Sequence, residues 1–248
     1  MLSPYAQRQW LTIAAVGALL VGTCLGLRWW APAVVLALLA AAMILFFRDP
    51  RRDVPPRRHA VVSPADGRVR AVDRLDHYPP FDGPARRIRI FLSVLDVHVQ
   101  RAPLHGRVAS VEARPGPRRN ALHADSAESN ASTTMLLHHP VRDEPLAAVR
   151  QVVGAVARRI VCSPAPGEIV QRGQRYGIIM FGSTVELYLP EALVASVDVE
   201  PGRRVKAGAS IVAMTRKTDP HAQSHDDDDG EGEGEASAPR LAPPHCPT

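Results

Sequence analysis

Two uncharged apolar runs open the chain, and they constrain its fold more than any other feature. Trp10 to Leu27 is 18 residues without a charge, and after Arg28 another 19 run from Trp29 to Phe47. As helices at 1.5 Å per residue they are about 27–29 Å long, close to the hydrocarbon thickness of a bilayer. Arg28-Trp29-Trp30 reads as an interfacial turn, and Pro32 suits the first turn of a second helix. A cleaved signal peptide leaves the second run unexplained. A shallow re-entrant pair is the other alternative, since many alanines make both runs only moderately hydrophobic. Arg8 precedes the runs, Arg48, Arg51, Arg52, Arg57 and Arg58 follow, and only Arg28 lies between. The positive-inside rule then places both ends, and the body that follows, on the cytoplasmic side of the cell membrane.

From Val61 onward the pattern changes to short apolar or alternating runs between Gly and Pro punctuation. Arg86 to Leu95 begins as a clean alternation, and Val185, Leu187 and Leu189 alternate with Thr184, Glu186 and Tyr188. Val97 and Val99 share one predicted strand face, and Asp96, His98 and Gln100 the other. Gly106–Ala113, Thr134–Leu137, Ala147–Val153 and Ala157–Cys162 supply further strands, and a helix is expected only around Asn120–Ser129. Many short strands imply a mainly β, closed or sandwiched body. Val62-Ser63-Pro64-Ala65-Asp66-Gly67 is echoed by Cys162-Ser163-Pro164-Ala165-Pro166-Gly167; the echo is either a coincidence of two Pro/Gly turns or a duplicated turn, and in the second case the acid at 66 is not required by the turn. Val197–Val212 reads like the strand-turn-strand of a lipoyl-type barrel-sandwich. After Lys217 the acidic, glycine-rich text cannot bury a core and is expected to be disordered. The organisation is therefore a membrane hairpin (residues 1–47), a barrel-sandwich-like body (48–217) and a tail (218–248).

Composition excludes some functions. The net charge is +5, but there is no aromatic stripe or helix-turn-helix spacing to favour nucleic acid, so an anionic membrane surface is the better partner. Lys206 and Lys217 are the only lysines, which leaves few places for a lysine-bound cofactor. Cys24, Cys162 and Cys246 are scattered and odd in number, which argues for a reducing compartment. His105, His123, His138 and His139 lack metal-ligand spacing, so no metal is expected.

The chemistry-bearing stretch is Gly177 to Pro190, where apolar runs flank the Gly182–Ser183 bond. A Gly between strand runs signals a bulge or strained turn. A serine hydroxyl held against the Gly182 carbonyl can attack it, turning the amide into an ester. Elimination and hydrolysis then leave a pyruvoyl ketone on residue 183, an electron sink of the kind pyridoxal phosphate provides elsewhere.

Several motifs accumulate in order: Phe46-Phe47-Arg48-Asp49-Pro50, Val62 to Gly67, Phe91-Leu92-Ser93 leading into Asp96 to Pro103, Ala157-Arg158-Arg159-Ile160, and Phe181 to Pro190. Together they resemble the short form of phosphatidylserine decarboxylase, over roughly two-thirds of the chain; an archaetidylserine-decarboxylase-like subgroup fits as well. The resemblance implies a proenzyme cleaved at Gly182–Ser183 into a β chain (1–182) and an α chain (183–248), which remain together. It implies a covalent pyruvoyl cofactor made from Ser183, with phosphatidylserine in the bilayer as substrate and phosphatidylethanolamine and CO2 as products. By the same resemblance Asp66 and a histidine assist Ser183, and His98 supplies the proton for the substrate α-carbon; a pKa near 6.5 lets a histidine act as acid or base. Asp96 either orients His98 or binds backbone. Long-form relatives carry a second histidine where this chain has Arg101, which leaves the base for self-cleavage open and makes Arg101 an accessory candidate. Family members often show Asn-Glu-Arg where Asn130 is followed here by Ala131-Ser132. The alternative from another class is a membrane-tethered, non-catalytic barrel-sandwich adaptor or carrier, although Ala213-Met214-Thr215-Arg216-Lys217 is not a carrier's modifiable-lysine pattern.

Overall fold

The computed structural model describes residues 1–117, 129–154, 159–180 and 183–216. The expected strand at Ala157–Cys162, the helix at Asn120–Ser129 and the tail thus lie partly or wholly outside the described residues.

Two apolar helices, α1 (Gln7–Gly26) and α2 (Trp30–Phe46), form the expected N-terminal pair. Pro4–Gly26 is 23 residues, long and apolar enough to cross a membrane, and Trp30–Phe46 is a shorter apolar helix. The turn between them carries Arg28 in a left-handed conformation (φ 61°), and Trp29 and Trp30 are exposed. The two ends of the pair are clipped together: the Ser3 amide donates to the Phe47 carbonyl (2.8 Å) and the Asp49 amide to the Met1 carbonyl (2.7 Å).

The rest is mainly β, as expected. In chain order come β1 (Ala60–Val62), β2 (Gly67–Tyr78), β3 (Gly83–Leu92), β4 (Val99–Arg101), β5 (Gly106–Arg114), β6 (Ser132–His138) and β7 (Pro145–Val153). Then follow β8 (Ile160–Cys162), β9 (Ile169–Val170), β10 (Arg175–Ile179), β11 (Ser183–Pro190), β12 (Val194–Val197), β13 (Arg204–Val205) and β14 (Ile211–Thr215). Among the described residues, one eight-stranded sheet, ordered β13-β2-β3-β11-β7-β6-β5-β9, curls into a half-barrel, and two three-stranded sheets, β1-β14-β12 and β4-β10-β8, accompany it.

The alternation predicted for residues 184–189 sets the register of the central pair. Val185 faces Ile90 and Leu187 faces Ile88, all fully buried in the core. On the other face Glu186 stands opposite Arg89, and the two form an ion pair of 2.9 Å that the Tyr188 hydroxyl joins at 2.7 Å. A strand buried on both faces needs its polar groups paired, which explains this network.

The body is built twice. The sheet order reads the same from either end, with β1–β3 and β11–β14 as one half and β4–β6 and β7–β10 as the other. The text follows suit: Pro64-Ala65-Asp66-Gly67-Arg68-Val69 matches Pro103-Leu104-His105-Gly106-Arg107-Val108. Backbone bonds recur in pairs. Val62 donates to Pro103 and Arg101 to Pro64, both at 2.9 Å; Gly202 donates to Val69 (2.8 Å) and Gly167 to Val108 (2.7 Å). The structural counterpart of the Asp66 turn is therefore the His105 turn. The echo expected at Cys162–Gly167 follows β8, which occupies a different place in its sheet from β1.

Candidate active site

Register brings Ser183 and Asp66 to one rim of the half-barrel. Ser183, the first residue of β11, pairs with Leu92 at the end of β3 and with Val153 at the end of β7. Asn130 fastens that end, its side-chain amide donating to the Val153 carbonyl at 2.8 Å. One row further along, Thr184 faces Phe91, and Phe91 faces Arg68 of β2. Asp66 just precedes β2, so it stands two strands from Ser183, roughly 10 Å at ordinary strand spacing. Gly67 permits this turn: its φ is 150°, and a β-carbon there would lie 2.2 Å from the Phe91 carbonyl oxygen. β3 leaves the rim through Ser93 to reach His98, whose carbonyl accepts from the Ile179 amide at 3.3 Å. Gly177 in β10 allows close approach to β8, since a β-carbon there would lie 2.0 Å from the Val161 carbonyl oxygen. Gly182, the other half of the expected cleavage bond, lies outside the described residues.

Ser183 is fully buried on the face it shares with Val185 and Leu187, and its Oγ has no hydrogen-bond partner. His98 is also fully buried. Its Nδ1 lies 2.9 Å from the Asp96 carbonyl oxygen, which can only accept, so Nδ1 carries the proton of the neutral ring. The lone pair then sits on Nε2, which has no hydrogen-bond partner.

Asp96 does not share a strand face with His98, contrary to expectation, because β4 starts only at Val99. Its carboxylate instead closes the loop, accepting from the amide (2.8 Å) and hydroxyl (2.7 Å) of Ser93. Short Asp side chains compete with the ladder for backbone donors in this way. Asp66 is engaged at both oxygens, by the Ala207 amide (2.8 Å) and the Arg52 guanidinium (2.7 Å). Burial nonetheless outweighs both donors and raises its pKa above the usual carboxylate value, with the nearby Asp96 charge adding to the rise. The Arg101 guanidinium is ion-paired and hydrogen-bonded. It is buried against Asp49 (3.1 Å), with the carbonyls of Gly173 (3.0 Å) and Pro50 (3.1 Å) taking its other donors.

Sequence reasoning missed two contacts. The Phe46 ring, at the end of α2, lies on the His98 ring with centroids 4.3 Å apart. Buried Gln151 of β7 donates to Gln100 Oε1 (3.0 Å), and Gln100 donates to the His98 carbonyl (2.8 Å), tying the imidazole strand to the sheet. The Phe46 contact had a signal, the Phe-Phe-Arg-Asp-Pro stretch itself; the Gln151 contact had none.

Burial lowers the His98 pKa to about 4; Arg48 acts in the same direction, while the Asp96 carbonyl and charge oppose it. The sign follows by linkage. The unfolded ring binds a proton near pH 6.5 that the folded ring refuses. Stability from this group is therefore complete above about 6.5 and falls as pH drops to about 4, by roughly 3 kcal/mol. Removing the covering ring with Phe46→Ala is expected to admit water and move the His98 titration, followed by NMR of the ring, upward toward 6.5. A wild-type ring that already titrates near 6.5 contradicts this account.

A buried hydroxyl and a buried imidazole nitrogen, both without a hydrogen bond, in a β body joined to two apolar helices suit an enzyme. Comparisons with known proteins identify its kind. The sequence profile described as "Phosphatidylserine decarboxylase" matches residues 39–213. The chain is 38% identical over 203 residues to a phosphatidylserine decarboxylase proenzyme of Rhodopirellula baltica, covering 82% of this chain and 84% of that one. Proenzymes of the same description from Saccharopolyspora erythraea (40% over 213 residues, 84% and 86% covered) and Burkholderia mallei (42% over 208 residues, 82% and 90%) are also similar to it. The chain belongs to the phosphatidylserine decarboxylase family, lipid-metabolising enzymes made as proenzymes and dependent on a serine-derived pyruvoyl group. That membership sets aside the carrier alternative.

Proposed function

We propose that this chain cuts its own Gly182–Ser183 bond, keeps the β chain (1–182) and α chain (183–248) together as a heterodimer, and decarboxylates phosphatidylserine presented by the bilayer. The state of Ser183 carries this reading: its hydroxyl is fully buried and unpartnered at the head of β11, directly after Gly182. A catalytic role is one of the explanations that such a buried, unpartnered group admits. That orphaned oxygen, next in sequence to Gly182, fits a serine that is converted to pyruvoyl.

The geometry supports the following roles. The Ser183 hydroxyl attacks the Gly182 carbonyl, and the acyl group passes from nitrogen to oxygen. Loss of the Ser183 α-proton expels the Gly182 carboxylate; water then converts the dehydroalanine to the ketone and releases ammonia. Once formed, the ketone supplies the electron sink for loss of CO2. His98 Nε2 accepts a proton transiently during cleavage and, in turnover, takes one from the substrate ammonium and passes it to the α-carbon. Asp96 positions the ring through its carbonyl. Asp66 supplies charge at the rim, and its counterpart His105 supports the view that the turn itself needs no acid. Arg101 positions β4 through Asp49.

The helix pair is the membrane anchor, with residues 48–217 as the catalytic domain on the cytoplasmic side and 218–248 as a tail. The arginines after Phe47 support that orientation and suit an anionic membrane surface. The duplicated strand-turn-strand units support the barrel-sandwich reading of the body. An ether lipid with a serine headgroup presents the same amine and carboxylate, so the assay uses both diacyl and ether forms. Purified protein is expected to show two chains on a denaturing gel, an α chain that reacts with hydroxylamine, and CO2 release from defined phosphatidylserine vesicles. Active protein with one unbroken chain overturns the reading.

A further inference from the structure

We propose that the loop from Ser93 to Val97 is a lip of the active site that dips into the bilayer, with Val94 and Leu95 seated at the boundary of headgroups and acyl chains. This rests on reading α1 and α2 as a membrane hairpin. Among the described residues of the body, the exposed large apolar side chains are Val94, Leu95, Val141 and Ile169, and only Val94 and Leu95 are adjacent. Val94 is 53% and Leu95 83% exposed.

The loop is attached where α2 would leave the membrane. Arg48 donates to the carbonyl of Leu45, itself 60% exposed near the end of α2, at 3.2 Å, and also to the carbonyl of Leu95. One guanidinium thus joins the backbone at the end of the helix to the backbone at the apolar tip of the loop. The loop's polar groups turn inward: Ser93 donates to the Asp96 carboxylate from its amide and its hydroxyl, and the Asp96 amide donates to the Ser93 carbonyl at 2.9 Å. Such internal pairing is what backbone entering a poorly hydrated layer requires. The tip is also flanked by cations. Arg48 stands on one side, and Arg204, 73% exposed, lies 3.7 Å from Asp96 on the other. Apolar residues rimmed by arginine are the chemistry of an element lying at an anionic lipid interface. His98 follows Leu95 by three residues, so a seated lip sets the imidazole at headgroup depth, where the substrate's amine and carboxylate stand.

The test places an environment-sensitive fluorophore on single cysteines in a full chain whose Cys24, Cys162 and Cys246 are replaced by serine. Labels go at Leu95→Cys, at Val94→Cys as a second reporter of the lip, at Leu39→Cys on α2, and at Val141→Cys on the turn between β6 and β7. The protein is reconstituted in phosphatidylcholine–phosphatidylglycerol vesicles with brominated acyl chains. Labels at 95, 94 and 39 are expected to shift to the blue and lose emission to the bromines, while the label at 141 keeps its emission. Quenching at 39 without quenching at 95 or 94 overturns the lip and leaves the hairpin standing. No quenching at any of the four removes the hairpin, and the lip with it.

Discussion

A Ser183→Ala chain is expected to stay a single polypeptide and to lose decarboxylation by at least about 10⁴-fold, because one atom serves both steps. The methyl group cannot attack the Gly182 carbonyl, so no ester forms, and no ketone can arise at a residue without a β-oxygen. The fold should tolerate the change. Ser183 Oγ makes no hydrogen bond that alanine would lose, and its face of β11 is apolar at Val185 and Leu187. Deleting an unpartnered buried hydroxyl is close to neutral and can be stabilising. The measurement therefore has two arms, a denaturing gel with CO2 release and a thermal melt in detergent. An intact chain with an unchanged melt isolates the chemistry. Cleavage or turnover by the alanine chain sinks the assignment of residue 183, without touching the family membership that rests on the whole sequence.

The parts of this architecture legible in the sequence are those governed by periodicity. Val185, Leu187 and Leu189 announced β11 because a strand displays its burial every second residue. The two apolar helices were legible because charge is absent over a known length. Partners were not legible in the same way. Asp96 and His98 were expected on one strand face from their spacing, yet the Asp96 carboxylate folds back on Ser93, a local competition that spacing does not reveal. The duplication was half seen. Ser-Pro-Ala drew attention to residues 162–167, whereas the true counterpart at 101–108 keeps only the Pro, the Gly-Arg-Val and the backbone bonds. The Phe46–His98 contact joins residues 52 positions apart, and only folding brings them together.

The other large effect concerns the motif that joins the helices to the body. An Asp49→Ala chain is expected to lose roughly 3–5 kcal/mol, because the partner of a buried ion pair is left uncompensated. Asp49 is 2% exposed and ion-pairs with Arg101, 8% exposed, and with Arg175 on β10. Its backbone also takes part in the clip that holds Met1 against the start of the body. For a body of this size the loss corresponds to a fall in melting temperature of roughly 6–20 °C. The distinguishing measurement is a double-mutant cycle. If the damage comes from the stranded guanidinium, Asp49→Ala combined with Arg101→Met should be less destabilised than the single Asp49→Ala chain. Additive losses would show that the pair is not coupled. Function should follow stability here, since Arg101 belongs to β4 and β4 continues directly from His98. A chain with a loosened β4 is expected to cleave itself more slowly, and the double variant to recover part of that rate. Recovery of stability without recovery of cleavage would mean that the Arg101 charge acts at the rim.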